Sequence, residues 1–317
     1  MKSILGIGNA LTDIPVIVPG KEMLGELGLL SGTMNHIDLA TERRICENIC
    51  GSNMQCIPGG SAANTVVAAV QLGMKGGFIG KVGKDATGRN FAGAMEKYGV
   101  EANLLEGTLP SGKAYTFIAP DDGVRTFAAY LGAALELVPD EVSEKMFLGY
   151  DYLHVEGYLL QCPGVVGRAM EYAKGLGMTV SFDFGSVGIV RRFGEEIRGL
   201  LEQYVDIVFA NEHEAEAFAG QPADKASGVL SGYMGRKGIA AVKLGAAGSI
   251  VQCGGEVHRI AAVPAEEVDS TGAGDAYAAG FLYAHSCGAD IRSCGETGAQ
   301  IASRVVSVVG PKILEKR

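Results

Sequence analysis

The sequence predicts an α/β protein with a predominantly parallel central sheet that is covered by helices on both faces. Short apolar runs alternate with helix-like segments, 47% of the 317 residues are hydrophobic, and the 47 glycines show no Gly-X-Y period. Such alternation is typical of βαβ units, and scattered glycines mark the turns between elements. A chain of this length can bury one large core, so we expect a single domain over residues 1–317.

The elements of the predicted sheet follow from the apolar pattern. The candidate strands are residues 3–8, 76–82, 151–157, 178–184, 206–211 and 239–245. The candidate helices are residues 61–72, 87–98, 163–176 and 212–219. Ligands of parallel sheets bind at the carboxyl ends of the strands, so we expect the functional residues there.

Two segments interrupt this alternation. Residues 13–18 and 113–130 are rich in β-branched and aromatic residues, and PDDG at 120–123 predicts a hairpin turn. We expect a small β-sheet lid, formed by about residues 13–30 and 111–132, that is inserted in the domain and covers the strand ends. A strand pair that extends the main sheet is the alternative.

The composition excludes several classes of protein. A formal net charge of -9 argues against a nucleic-acid-binding surface. No apolar stretch has the length of a membrane span, and the first residues are too polar for a signal-peptide core. Seven cysteines without a C-x-x-C pair, and five histidines without H-x-x-x-H spacing, do not indicate a zinc site. We therefore expect a reduced, cytoplasmic protein that binds a small molecule, and the sequence leaves a monomer or a homodimer open.

The segment DSTGAGDAYAAGFLYA at 269–284 is the most informative in the chain. Its glycines precede a helical stretch, so the amides of Gly272, Ala273 and Gly274 can converge at a helix amino terminus and bind an anion. Asp275 follows in the first turn, where it can accept a proton from an attacking alcohol. A helix-start aspartate that only favours the dipole is the alternative.

Other glycine motifs are weak. GIGNAL at 6–11 has leucine where a dinucleotide fingerprint needs its third glycine, and no G-x-x-x-x-G-K-[ST] occurs. The sequence therefore favours neither a flavin or nicotinamide oxidoreductase nor a P-loop enzyme.

The chain resembles the PfkB carbohydrate-kinase family, the ribokinase-like group that includes adenosine kinases. DSTGAGDAYAAGF is similar to its carboxyl-terminal signature, and PGGSAANTVVAAVQLG at 58–73 to its amino-terminal one. NEHEAE at 211–216 matches its N-x-x-E motif. The resemblance implies a ribokinase-like fold and an ATP- and Mg²⁺-dependent kinase that phosphorylates the hydroxymethyl group of a nucleoside or sugar.

The resemblance also implies roles for matching positions. Asp275 would be the catalytic base, and the amides of Gly272, Ala273 and Gly274 would form the anion hole. The predicted substrate-binding residues are Asn9, Asp13, Gly59, Gly60 and Asn64. Gly59 and Gly60 also suit a plain turn before a helix.

On the nucleotide side, the resemblance implies that Asn211 and Glu214 organise Mg²⁺ through water, although the pair would equally suit a helix cap. The loop VKLGAAG at 242–248 contributes Gly245 and also Lys243, which stands where the family usually has threonine. Lys243 is either a phosphate ligand or a solvated strand-end residue. Ala302, on the helix at 291–308, would lie against the adenine. Some members also bind a monovalent cation such as K⁺ at positions that match Asp269 and Thr271, a requirement left open here.

The substrate is predicted from weaker signals. GNALTDI at 8–14 and SGTMNHID at 31–38 look closest to bacterial adenosine-kinase-like members, which favours phosphorylation of adenosine to AMP. A sugar kinase of the ribokinase or fructokinase type, and a non-catalytic nucleoside- or sugar-binding protein, are the alternatives. Tyr115, Phe117 and Phe127 would either stack on a nucleobase or form the lid's own core. Arg125 on the lid would face the site, or it is an exposed turn residue.

Overall fold

The computed structural model describes residues 2–18, 20, 22–49, 57–118, 125–266 and 270–307. They form two sheets, a large one of nine strands and a separate one of five. The predicted α/β fold is therefore confirmed, and the five-stranded sheet does not extend the main sheet.

The large sheet is mostly parallel. From one edge to the other, with strands numbered in chain order, its members are β14 (Glu256–Ile260), β13 (Ser249–Cys253), β12 (Ile239–Lys243), β11 (Ile207–Asn211), β10 (Thr179–Asp183), β9 (Tyr152–Glu156), β1 (Ser3–Ile7), β5 (Lys75–Gly83) and β6 (Val100–Gly107). The seven strands from β12 to β6 run parallel, and β13 and β14 continue the sheet as an antiparallel pair. Within this sheet the chain passes from β1 first to β5 and β6 on one side and later to β9 on the other, so the strand order reverses beside β1. Such a reversal opens a crevice at the carboxyl ends of the strands.

Helices cover both faces of the large sheet. In chain order the helices are α1 (Glu22–Glu26), α2 (Leu39–Ile49), α3 (Ser61–Leu72), α4 (Ala86–Lys97), α5 (Val165–Gly175), α6 (Val187–Gln203), α7 (Glu212–Ala219), α8 (Ala223–Tyr233), α9 (Ala273–Ser286) and α10 (Ile291–Val306). Helices α5 to α8 pack on one face, and α3, α4, α9 and α10 on the other. Side chains alternate along β1, with Leu5 and Ile7 facing the first layer and Ile4 the second. Within the described residues, no helix is long and apolar enough to cross a membrane.

The small sheet lies over the carboxyl ends of the large one. Its strands, in spatial order, are β3 (Met34–His36), β8 (Arg125–Tyr130), β7 (Gly112–Ile118), β2 (Leu11–Ile17) and β4 (Ile57–Gly59). One face packs on α1 and α2 through a core of its own. The predicted turn at 120–123 falls outside the described residues. The division of the chain into one domain with a lid at 13–30 and 111–132 stays a prediction.

Tyr115 and Phe117 lie in that separate core and are 0% exposed. They stand two residues apart on β7 and therefore share a face. Of the two roles left open by the sequence, both rings form the core of the small sheet and do not face the cleft, because the face they share is covered by α1 and α2.

Candidate active site

A cleft of about 1050 Å³ lies between the small sheet, the carboxyl ends of the large sheet and the start of α9. Among the predicted site residues, its described wall includes the following: Asn9, Asp13, Gly60, Asn64, Asn211, Glu214, Lys243, Gly245, Ala273, Gly274, Asp275 and Ala302. Gly59 and Gly272 lie next to members of this set in the chain. The fold thus brings the predicted residues from both ends of the sequence to one cavity.

Helix α9 begins at a glycine turn. Gly272 is its N-cap with φ 78°, a left-handed conformation that favours glycine, and no side chain caps the helix. The Ala273 amide donates to the Ser270 carbonyl at 3.1 Å, whereas the amides of Gly272 and Gly274 have no hydrogen-bond partner among the described residues. The turn therefore presents free amides and the positive end of the helix dipole to the cleft.

Asp275 is oriented by the first turn of α3. Ser61 Oγ donates to Asp275 Oδ1 at 2.7 Å, and Asn64 Nδ2 donates to Asp275 Oδ2 at 3.0 Å. Burial is the main cause that raises the pKa of Asp275 to about 6, with a contribution from Asp183, while the bonds from Ser61 and Asn64 oppose it. A carboxylate that is ionised near neutral pH, and held in one orientation, can act as a general base.

Asn9 offers an unsatisfied amide to the cleft. It is 1% exposed, and its side-chain nitrogen and oxygen both lack a hydrogen-bond partner among the described residues. Leaving a buried polar group unpaired costs about 1–3 kcal/mol per group, so an amide in this state points to a polar ligand.

Gly59 and Gly60 allow the segments around them to meet. A Cβ atom on Gly59 would lie 2.3 Å from the Asp13 carboxylate, and one on Gly60 would lie 2.3 Å from the Asn9 carbonyl oxygen. Gly60 also has φ 96° as the N-cap of α3. The two glycines thus form a turn before a helix and, in addition, permit close approach to Asn9 and Asp13. Burial, and next the charge of Asp275, raise the pKa of Asp13 to about 7.

Glu156, at the end of β9, is a site residue that the sequence analysis missed. It is 1% exposed and accepts hydrogen bonds from the backbone amides of Asn9 at 2.9 Å and Ala62 at 2.8 Å. Burial raises its pKa to about 7. The available signal was a carboxylate at the carboxyl end of the apolar run 151–157.

Asp183, at the end of β10, is a second missed residue. Its Oδ2 accepts from Lys243 Nζ at 2.8 Å, and the two side chains are 7% and 16% exposed. Lys243 is the only lysine or arginine among the described residues that line the cleft. Burial alone would lower the pKa of Lys243, but the carboxylates of Asp183 and Glu214 outweigh it and raise that pKa. Lys243 is therefore a buried cation and not a solvated strand-end residue.

Asn211 and Glu214 form the helix cap that the sequence left open. Asn211 Oδ1 accepts from the Glu214 amide at 2.9 Å, and Glu214 Oε2 accepts from the Asn211 amide at 2.8 Å. Glu214 is 3% exposed, and burial, followed by Asp183, raises its pKa to about 7. The described residues hold no group of three or more His, Cys, Asp or Glu side chains arranged for direct metal binding. Asn211 and Glu214 carry oxygen donors of the kind that Mg²⁺ prefers, and the role of Glu214 in holding Mg²⁺ through water stays a prediction.

The remaining predicted residues lie at the edges of the cleft. Gly245 begins a short 3₁₀ turn after β12 with φ 55°, and Ala302 lies on the cleft side of α10 beside Ala299. Thr271 lines the cleft as well, while Asp269 lies outside the described residues. Arg125 is the first residue of β8 and does not belong to the described cleft wall.

The small sheet supplies an apolar wall opposite the charged strand ends. Its cleft-facing side chains are Leu11, Pro15, Met34, Ile57, Ala114, Ile118, Phe127 and Ala129. Of the three predicted aromatic candidates, only Phe127 reaches the cleft. The cavity thus has one apolar side and one side with carboxylates, a lysine and free amides, so it can hold a ligand that has both an apolar part and an anionic group.

Comparisons with known proteins define the class. The family model described as pfkB family carbohydrate kinase matches residues 29–317. A nucleoside kinase of Methanothermobacter thermautotrophicus is 30% identical over 261 residues, which cover 81% of this chain and 81% of that protein. A 5-dehydro-2-deoxygluconokinase of Bacillus subtilis is also 30% identical, over 78% and 80% of the two chains.

Comparison with solved structures gives the same class of protein. The adenosine kinase of Sinorhizobium meliloti superimposes with a TM-score of 0.88 at 32% identity, covering 99% of this chain and 96% of that one. The chain belongs to the pfkB family of carbohydrate kinases and is a sugar or nucleoside kinase.

Proposed function

We propose that this kinase uses ATP and Mg²⁺ to phosphorylate the hydroxymethyl group of a nucleoside, with adenosine as the preferred acceptor. The observation that carries the proposal is the apolar wall of the small sheet, which lies across the cleft from Asp275. A flat nucleobase buries apolar surface against such a wall, whereas a free sugar leaves it exposed to water. The likeness to a nucleoside kinase and to an adenosine kinase supports the same acceptor class.

The charges of the cleft support a neutral acceptor. The carboxylates of Asp13, Glu156 and Asp275 line its acceptor side, and the described wall contributes no lysine or arginine there. A phosphorylated or carboxylated acceptor would be repelled by these groups. The unpaired amide of Asn9 can both donate to and accept from ribose hydroxyls, and the carboxylate of Asp13 can accept from them.

The proposed reaction is an in-line transfer. Asp275 accepts the proton of the acceptor hydroxyl, whose oxygen forms a bond to the γ-phosphorus of ATP while the bond from that phosphorus to the β,γ-bridging oxygen breaks and ADP leaves. Ser61 and Asn64 hold the Asp275 carboxylate towards the hydroxyl. The free amides of Gly272 and Gly274 stabilise charge on the phosphoryl oxygens. Of the three predicted anion-hole amides, that of Ala273 is engaged within its own turn and contributes least.

The nucleotide side completes the proposal. Gly245 leaves room for the nucleotide, since a Cβ atom there would meet no atom within 4 Å, and Ala302 offers a small apolar surface to the adenine. Asn211 and Glu214 would hold Mg²⁺ through water, and the bound ion would supply positive charge against the phosphates. In this proposal residues 13–30 and 111–132 act as a lid that excludes water from the acceptor.

An ADP-release screen tests the acceptor class. The panel is adenosine, guanosine, inosine, cytidine, ribose, fructose, ribose 1-phosphate and 5-dehydro-2-deoxygluconate, each with ATP and Mg²⁺. We expect the highest kcat/KM with adenosine and no turnover of the two anionic sugars. A higher kcat/KM with any free sugar than with every nucleoside would replace this proposal with a sugar kinase.

The Asp275→Asn variant tests the base. Its kcat should fall by about 10³-fold, within the range that a positioned general base supplies, while binding of ADP with Mg²⁺ by calorimetry stays unchanged. Ser61 can still donate to the oxygen of the isosteric amide, and Asn64 can turn its own amide so that its oxygen accepts from the new NH2 group, so the fold is retained. Full turnover in Asp275→Asn would reject the assignment.

A further inference from the structure

Lys243 lies against the glycine turn that begins α9. Its Nζ lies 3.1 Å from the point that a Cβ atom on Gly274 would occupy. The free amides of this turn already carry partial positive charge. Two positive groups placed side by side repel each other, and an anion bound between them removes the repulsion. Asp183 already pairs with Lys243, and an anionic ligand at the turn would in addition neutralise the positive charge that Lys243 and the free amides share.

The ammonium of Lys243 keeps donors for such a ligand. An ammonium has three N–H donors, and Asp183 Oδ2 at 2.8 Å is the one hydrogen-bond partner of Lys243 among the described residues. The side chain is only 16% exposed, so water has limited access to the unused donors. Because a buried donor without a partner is costly, the geometry favours a ligand that accepts from it.

We propose that Lys243 is a catalytic residue that contacts the transferring phosphoryl group, and that Asp183 is a positioning residue that holds its ammonium beside Gly274. This inference rests on the proposed function, because it presumes transfer to a hydroxyl held at Asp275. The transferring group spreads charge over its equatorial oxygens, and a fixed cation beside the amides stabilises that charge. Asp183 keeps one donor of Lys243 while the others reach the phosphoryl oxygens.

Lys243→Met tests the contact because it removes the charge and keeps the length of the side chain. We expect kcat to fall by about 100-fold, because removing one donor to a charge that develops in the transition state typically has an effect of about this size. The KM of the acceptor should change by less than about threefold. Lys243→Arg should retain turnover within about tenfold of the wild type.

A matched control comes from another lysine–aspartate pair. Lys174 donates to Asp206 Oδ1 at 2.8 Å, the same distance as in the cleft, but the pair is exposed and does not line the cavity. Lys174→Met should leave kcat and KM unchanged. A wild-type kcat in Lys243→Met, or an equal loss in Lys174→Met, overturns the proposal.

Nucleotide binding separates this inference from the proposed function. Calorimetry with Mg²⁺ compares a non-hydrolysable ATP analogue that carries a γ-phosphate with ADP. The wild type should prefer the analogue, and Lys243→Met should lose that preference by about tenfold while its affinity for ADP stays the same. If no acceptor supports turnover but this selective loss occurs, the proposed function fails and the phosphoryl contact stands. Equal preference in the wild type and Lys243→Met rejects the contact, whichever acceptor is used.

The role of Asp183 is tested by a pH profile. The titratable groups that face Lys243 are Asp183 on β10, Glu214 on α7, Asp275 and Tyr277 on α9, and the buried His154 on β9. Asp183 raises the pKa of Lys243, so Asp183→Asn should move the alkaline limb of kcat to lower pH. The double variant Asp183→Asn/Lys243→Arg should lose that shift, because arginine stays charged. An alkaline limb that does not move in Asp183→Asn, or moves equally in the double variant, rejects the positioning role.

Discussion

Two lysine–carboxylate pairs have nearly equal side-chain exposure in this kinase, and their surroundings differ. Lys243 and Asp183 lie in the cleft at 2.8 Å with side chains 16% and 7% exposed. Lys113 and Glu42 lie between β7 and α2 at 2.5 Å with side chains 18% and 6% exposed. Distance and burial therefore do not distinguish the pairs.

The hydrogen-bond partners distinguish them. Glu42 Oε1 also accepts from Tyr115 at 2.9 Å and from Cys46 Sγ at 3.0 Å, and Lys113 also contacts Cys46 Sγ at 3.6 Å. This network is closed by the chain itself, whereas the Lys243 ammonium has Asp183 as its hydrogen-bond partner among the described residues and faces two more carboxylates, Glu214 and Asp275. A closed network stabilises the packing of α2 on the small sheet, and an open one is suited to a ligand.

The largest change in the free energy of unfolding is expected when the Lys113–Glu42 pair is broken. Glu42→Gln should lower the free energy of unfolding by about 3 kcal/mol, because it leaves the Lys113 ammonium buried without its counter-ion. Asp183→Asn should change it by less than about 1 kcal/mol, since Glu214 and Asp275 remain near Lys243. Urea unfolding measures both. Glu42→Gln/Lys113→Met should recover about half of the loss. Equal losses of unfolding free energy in Glu42→Gln and Asp183→Asn would show that the two pairs contribute alike to stability.

The next effect concerns stability against pH. Asp13, Glu156 and Glu214 have pKa values of about 7 and Asp275 of about 6, all above the ordinary values of such groups. The native state therefore binds more protons than the unfolded state between those ordinary values and about pH 7, so its stability falls as pH rises through this window. The ligand-free protein should gain about 1–2 kcal/mol between pH 8 and pH 5.5 in urea unfolding.

Asp13→Asn should be more stable than the wild type at pH 8 and show a smaller gain in unfolding free energy on acidification.

Glu42 has the opposite effect on how stability depends on pH. Burial would raise its pKa, but the bonds from Lys113 and Cys46 hold that pKa below its usual range, so its stabilisation is lost only on acidification below about pH 4.5. If the free energy of unfolding of the wild type rose from pH 5.5 to pH 8, the raised pKa values of the carboxyl groups in the cleft would be contradicted.

A smaller effect appears in the acid limb of kcat. The base must be ionised, so kcat should rise with pH through about 6, the pKa of Asp275. Lys243 lowers that pKa, and Lys243→Met should therefore move the limb upward by about 0.5–1 pH unit. Lys113→Met, the matched change in the closed network, should leave the limb in place. A limb that shifts in neither variant would show that Lys243 and Asp275 do not interact.

The smallest effect is expected at the exposed pair. Lys174→Met should change the free energy of unfolding by less than about 0.5 kcal/mol, because water screens an exposed ion pair. Urea unfolding of Lys174→Met and Glu42→Gln under the same conditions then compares the stability loss at an exposed pair with that at the closed Lys113–Glu42 pair. A loss at Lys174 as large as that at Glu42 would show that burial has no bearing on these pairs.

Much of the fold was predictable because its signals are local. The six apolar runs all became strands of the large sheet, and the glycine turn before Asp275 does begin a helix. Asp183 and Glu156 were not predicted, since a single carboxylate at the end of an apolar run has many explanations. Their meaning depends on neighbours far along the chain. Glu156 binds the amides of Asn9 and Ala62, 147 and 94 residues away.

The sequence by itself determined the order of strands and helices, the family, and the placement of a carboxylate beside a glycine turn, because each is carried by residues close together in the chain. Only the tertiary structure decided which side of β7 faces the cleft and which of two buried lysines stays open to a ligand. Lys243 and Asp183 are 60 residues apart, and their environment is created by strands and helices that meet only when the sheet forms. Burial and charge at a site are sums over such distant neighbours, so no local pattern contains them.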